Sequence, residues 1–320
     1  MRQLLVELTR LVTRRSIVVI LLAAVVLAVL LVGSAAYATR PPNGTEQAAA
    51  EQMLARQSQL DDAEYQRCLK DPQQYYGDLA GPSDCEDLRP SLAWFLPRPA
   101  LSLDDEVRNR GRLLVVLLAG VGILVGATFV GADWASGSLS NQLLFEPRRT
   151  RLWLVKAAAV VLGVVVFSTV VLAAFWGSLA ALSATRDLPV ASDTWALVLA
   201  TAGRGLALVA ATGLGGFALT VALRSTVGTL GLLFGYAVVG EGLAASLPVT
   251  KMTQWSVSNN LLAFVHRGVE VYDRSLCADT VGRCASRYVL PLWHGAAYLG
   301  ALLVVAVVVS LVTFRRRDIS

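Results

Sequence analysis

The chain has 320 residues, is 55% hydrophobic with a mean hydropathy of +0.57, and carries a net charge of +5. Its charges cluster between long uncharged runs, which excludes an ordinary soluble surface and leaves too few apolar residues for a second water-soluble core. The basic excess lies beside those runs, where anionic headgroups and membrane topology use it, so nucleic acid is not an expected partner.

At the start of the chain, Leu4, Leu5, Leu8, Leu11 and Val12 recur at helical spacing between Arg2, Glu7, Arg10 and Arg14. The pattern predicts an elbow helix over residues 1–15 lying in the cytoplasmic interface, or a plain extension of the first span. Six runs are long enough to cross about 30 Å of hydrocarbon as helix. They are 16–37, 113–131, 157–183, 205–223, 227–247 and 292–314. Arg204 and Glu241 lie at or near the ends of the fourth and fifth, and a tight turn around Arg224 and Ser225 must separate those two. The predicted fold class is therefore an all-α polytopic membrane protein, with residues 1–320 forming one membrane domain.

Basic residues near span ends set the orientation. Arg10, Arg14 and Arg15 precede the first span, Arg148, Arg149, Arg151 and Lys156 lie between the second and third, and Arg315 to Arg317 follow the last. Both termini are expected in the cytoplasm and the protein in the plasma membrane. Arg14, Arg15, the first apolar run and Ala36-Tyr37-Ala38 also imitate a cleaved signal peptide, although the run exceeds the usual length of about 7–15 residues.

The loop 38–112 is then extracytoplasmic. Residues 44–72 are rich in Glu, Gln, Ala and Leu and should be helical until Pro72, and Ser102 with Asp105 has capping-box spacing before the second span. Asn43-Gly44-Thr45 matches a glycosylation acceptor. Cys68, Cys85, Cys277 and Cys284 all fall in segments expected outside the cell, where disulfides are permitted and three pairings are open. Metal binding by Cys277 and Cys284 with His266 and His294 is the competing reading; the ligand spacing of a metal site is missing. His266 is expected on a helix at the outer surface within 248–291, and His294 among the interfacial aromatics Trp293 and Tyr298. For Arg204 and Glu241, snorkelling or a mutual pair competes with a place on a substrate pathway.

The chain has no phosphate-binding loop, zinc-protease helix or nucleophile elbow. Metal and cofactors are accordingly not expected on this chain, and any energy source must be a partner. The connection 132–156 is the segment that such a partner would use. Ser138 is positioned to cap a short helix over 139–145, with Leu139, Leu143 and Leu144 on one face, Asn141 near the other, and Pro147 ending it before Arg148, Arg149 and Arg151. A short helix held under the membrane by two spans is a lever that tilts both when pressed.

This segment resembles the coupling loop of permease subunits of ABC-2 type ABC exporters, particularly the actinobacterial members. Their loop has an acidic residue, then Gly-Thr-Leu, then Pro with basic residues and a Lys opening the next span. The positions here are Asp133, Gly137, Ser138, Leu139, Pro147, Arg148, Arg149 and Lys156, with Asp in place of Glu and Ser in place of Thr. The resemblance implies a dimer of permease subunits working with separate ABC ATPase subunits that bind ATP and Mg. It also implies that Asp133 and Trp134 anchor the loop, Gly137 permits the turn, Ser138 caps, and Leu139 to Leu144 pack on the ATPase. A non-transporting sensor or assembly module acting through the outer loop is the alternative.

Overall fold

The computed structural model describes residues 2–76, 81–246, 252–272 and 287–316. The chain forms two compact units, one comprising Met1–Val32 with Leu103–Ser320 and the other Gly33–Ser102. The elements before and within the smaller unit are α1 (Arg2–Thr13), α2 (Arg15–Ala38), which runs across the boundary, α3 (Gly44–Lys70), α4 (Pro72–Tyr76) and α5 (Leu92–Phe95).

In the smaller unit α3 starts where Asn43 supplies a reciprocal cap. Its side-chain oxygen accepts from the Glu46 N–H at 2.8 Å, and the Glu46 carboxylate accepts from the Asn43 N–H at 2.9 Å. The expected acceptor asparagine thus has its side chain engaged in the cap. Arg98 also bonds Glu46 and holds its carboxyl below the usual carboxylate range, with the Asn43 N–H adding to the effect. Cys68 and Cys85 form a disulfide and are fully buried beside Tyr65, whose hydroxyl donates to Glu86. The bond closes a loop of sequence separation 17, a size for which cross-linking stabilises by about 3 kcal/mol. Replacing Cys68 by Ser is expected to speed proteolysis within 33–102 of the full-length chain about a hundredfold under oxidising conditions. Unchanged proteolysis would contradict that role. Cys277 and Cys284 lie outside the described residues.

In the larger unit, α6 (Leu103–Glu106), one π turn and α7 (Arg112–Ala135) make one continuous helix. It is followed by α8 (Ser138–Phe145), α9 (Arg149–Thr185), α10 (Ser192–Leu223), α11 (Thr226–Gly235), α12 (Glu241–Ser246), α13 (Val257–His266) and α14 (Leu292–Arg316). Among the described residues six helices are long and apolar enough to span a membrane: Arg15–Ala38, Leu103–Ala135, Arg149–Thr185, Ser192–Leu223, Thr226–Leu243 and Leu292–Arg316. The helices of the second and fourth spans begin well before residues 113 and 205, because helix continues through charged residues that end the apolar run. The all-α polytopic fold class expected from the sequence holds for the spans, and one small two-stranded sheet is added to it. Strands β1 (Val269–Tyr272) and β2 (Arg287–Leu290) pair antiparallel with Val269 opposite Leu290 and Tyr272 opposite Arg287, burying Val271 and Leu290 against Ala263 of α13.

The core lies between α7 and α10, whose backbones meet at glycines. A Cβ on Gly126 would collide with the Gly213 carbonyl and the Phe217 amide, and one on Gly216 would lie 2.5 Å from the Ile123 carbonyl oxygen. Small residues allow this approach, and packing contacts replace the hydrophobic driving force that lipid cannot supply between helices. The expected tight turn is present: Arg224 is left-handed at φ 56°, and Ser225 caps α11 by accepting from the Gly228 N–H. At the start of α9, Arg149 donates to the carbonyls of Phe314 and Arg315 at 3.4 and 3.3 Å, and Gln3 donates to Glu146 at 3.0 Å. The first helix, the last helix and α8 therefore share one end of this unit.

Candidate coupling site

At that end the connection from α7 to α9 is built around Asp133. The helix α7 stops because Gly137 takes φ 66°, a left-handed conformation that a side chain disfavours. Gly137, not Ser138, is the residue preceding the first turn of α8, and no side-chain cap bond is made there. The Ser138 hydroxyl instead donates to Asp133 Oδ1 at 3.0 Å. A residue expected to cap α8 thus ties it to the end of α7.

Asp133 is nearly fully buried and accepts from three side chains. Lys156 Nζ lies 2.6 Å from Oδ2, while Arg14 and Ser138 share Oδ1. Lys156 also pairs with Glu7 of α1 at 2.8 Å, and its side chain is 2% exposed. Arg14, in the break between α1 and α2, additionally donates to the Phe129 carbonyl, and both Arg14 and Lys156 lie over the Phe129 ring. Two carboxylates and two cations therefore meet in one buried cluster that joins α1, the start of α2, α7, α8 and α9. Buried ions are tolerated only in such compensated sets, and removing one partner leaves a bare charge.

Glu7 and Arg14 were not expected in this role. The amphipathic pattern of α1 suggests that its charges face water, yet Glu7 is 6% exposed while Leu5, Val6 and Val12 are exposed. Helical spacing carries the missing signal: Glu7, Leu11 and Arg14 fall on one stripe, and Leu11 is packed against Gly163 of α9. Lys156 is visible in the sequence as the cation that interrupts the start of the third apolar run.

The exposed side of α8 differs from the expected one. Leu139 is buried at 2% and Leu143 is half-buried, so neither presents its full side chain outward. Leu144 and Phe145 are 81% and 91% exposed, with Asn141 exposed beside them. Phe145 and Glu146 also line a groove of about 310 Å³ between α8 and α1, together with Gln3, Val6, Gln142 and Leu152. The Gln3 bond, with Arg151 at 3.2 Å, holds the Glu146 carboxyl below its usual range. Trp134 is half-buried with the Arg224 guanidinium over its ring, and Pro147 is exposed between α8 and α9.

The other singled-out charges belong to the opposite end of the unit. Arg204 donates to Thr201 at 3.1 Å, whereas Glu241 accepts from the Ser256 hydroxyl and from the Ser258 N–H at 3.0 Å, bracing the start of α13. The mutual pair between Arg204 and Glu241 is thus replaced by two separate local arrangements. His266 ends α13 and lies 3.0 Å from an Arg112 nitrogen; burial pushes its imidazole pKa down, with Arg112 and Arg204 adding to the effect. His294 lies 3.0 Å from Asn260. Among the described residues no group of His, Cys, Asp and Glu could hold a metal ion.

No curated protein and no solved structure matches the chain. A family model described as ABC-2 family transporter protein matches residues 6–319, which include α8, the ionic cluster around Asp133 and all six candidate spans. The chain is a multi-pass membrane protein and belongs to the ABC-2 transporter family.

Proposed function

We propose that the chain is the permease subunit of an ATP-driven exporter in the plasma membrane, and that α8 is the surface on which a separate ABC ATPase subunit presses. The single observation that carries this reading is the contrast within one eight-residue helix: Leu144 and Phe145 stand almost free, while Leu139 and Ser138 tie the helix inward. A partner that seats the exposed pair meets a lever whose other side ends on Asp133. The cluster of Glu7, Arg14, Asp133 and Lys156 then moves α1, α7 and α9 together, because sliding one ion out would leave its partners bare.

On this reading the end bearing α8 is cytoplasmic, in keeping with Arg14, Arg15, Arg148, Arg149, Arg151, Arg315 and Arg316 around it. Unit Gly33–Ser102 is extracytoplasmic, where its disulfide persists. ATP and Mg bind on the ATPase, and this chain binds no cofactor. A second permease copy completes the route: the window of Thr226–Leu243 is only 6% buried and that of Leu292–Arg316 only 11%, leaving apolar helix surface for a partner copy or lipid.

The test is co-purification of the full-length chain with an ABC ATPase encoded beside it, followed by reconstitution in liposomes. Stable association and ATP hydrolysis that depends on both subunits are expected. A full-length chain that inserts and remains monodisperse but never associates with, or alters hydrolysis by, the adjacent ATPase would contradict the proposal and favour the sensor or assembly alternative.

A further inference from the structure

At the end of the larger unit away from α8, Arg112, Arg204 and His266 come together with no carboxylate paired to them among the described residues, while Asp104 lies within electrostatic reach of Arg112. Arg112 and Arg204 immediately precede the uncharged runs 113–132 and 205–223, so each stands where its helix would leave the hydrocarbon. They lie within electrostatic reach of each other, and Arg267 within reach of Arg204. Arg112 and Arg204 each have a buried Nε with no hydrogen-bond partner. Among the described residues, none of Arg112, Arg204 and Arg267 forms an ion pair: Asp104 is taken by Arg108 at 2.8 Å and Glu106 by Arg110. Because the Arg112 guanidinium is only a donor, His266 Nδ1 must accept from it, which puts the ring proton on Nε2 and adds another donor. Charges held at a membrane boundary in this state call for an anion.

A second feature lies along α10. Arg204, Leu208, Ala211 and Gly215 recur on one helical stripe running from the boundary toward the middle of the span. That stripe borders a half-open apolar cavity of about 130 Å³, lined on its other sides by Phe264 of α13 and by Leu299 and Leu303 of α14. Arg204 lies one helical turn before Leu208 on the same face of α10, so the apolar lining starts one turn from that donor.

We propose that Arg112, Arg204 and His266 bind the phosphate of an anionic amphiphile whose acyl chain lies along α10 between Leu208 and Leu303. The apolar cavity favours an amphiphile over a free phosphate, since a soluble anion leaves it unfilled. This inference stands apart from the transport reading, because occupancy of the site requires no ATPase.

The test uses the delipidated full-length chain in neutral detergent, titrated with short-chain phosphatidylglycerol, the matching phosphatidylcholine and inorganic phosphate, with bound ligand counted by native mass spectrometry. Phosphatidylglycerol is expected to bind about tenfold tighter than phosphatidylcholine, and R112Q or R204Q to weaken it about tenfold. R204K, which keeps charge and fold but loses the planar fork, should weaken it several-fold, and R108Q, which removes an arginine already paired with Asp104, should not. Phosphatidylglycerol binding that is equal in the parent chain, R112Q and R204Q would overturn the site. Binding of inorganic phosphate as tight as that of phosphatidylglycerol would overturn the amphiphile and leave a soluble anion as the ligand.

Discussion

Replacing Lys156 by Met is expected to lower the melting temperature of the full-length chain in detergent by on the order of 10 °C. Among the described residues Lys156 alone touches both Glu7 and Asp133, and its removal leaves Glu7 facing the interior with the half-exposed Arg10 at 3.3 Å. Breaking a buried set by removing one partner costs about 3–5 kcal/mol, and each kcal/mol moves the melting point of a domain this size by about 2–4 °C. The Met chain fills much of the lysine stem's volume, so the loss reads as charge and not as a cavity. Adding Glu7→Gln to Lys156→Met should recover part of the loss, because the carboxylate stranded by the first change is then neutral. A melting temperature unchanged by Lys156→Met, or a double variant as damaged as the sum of the two single ones, would show that the cluster is not an interdependent unit.

The second large effect is functional and leaves the fold alone. Changing Leu144 and Phe145 together to Asp is expected to cut ATPase stimulation in the reconstituted complex by at least about tenfold, the cost of placing desolvated charge at an apolar contact. Because these side chains are 81% and 91% exposed, the permease by itself should change stability by no more than about 0.5 kcal/mol. Leu139→Asp gives the opposite pattern: it buries an unpaired carboxylate at a 2%-exposed position and should impair the fold before any coupling is read. Full stimulation by the Leu144→Asp, Phe145→Asp chain would move the ATPase contact elsewhere.

Sequence pattern carries some of these features, and packing alone decides the others. The spans are legible because hydrocarbon admits few charges, so six apolar runs announce themselves. Their ends are not, since α10 continues through Asp193 and Arg204 as helix after the apolar run has stopped. Residues 269–272 and 287–290 form strands too short to show alternation above their surroundings, and their pairing is non-local.

At the candidate coupling site, the Gly137, Ser138 and Asp133 spacing marks the turn, but which residue caps depends on the positive φ at Gly137. The inward face of α8 follows from the same turn: with Ser138 held by Asp133, Leu139 rotates into the unit and Phe145 out of it. Glu7 is the clearest case. Amphipathicity alone assigns a charge to water, and only the burial of Lys156 and Asp133 across from α1 reverses that assignment.

The most direct measurement places a single cysteine at the tip of α8, as Phe145→Cys, in the complex with its ATPase, and asks what a short thiol cross-linker captures in inside-out and right-side-out membranes. Capture of the ATPase by Phe145→Cys but not by Leu139→Cys, with labelling from the cytoplasmic face alone, is the result that a pushed helix requires. Labelling of Phe145→Cys by an impermeant maleimide from outside intact cells would place α8 on the wrong side of the bilayer, where no ATPase can reach it.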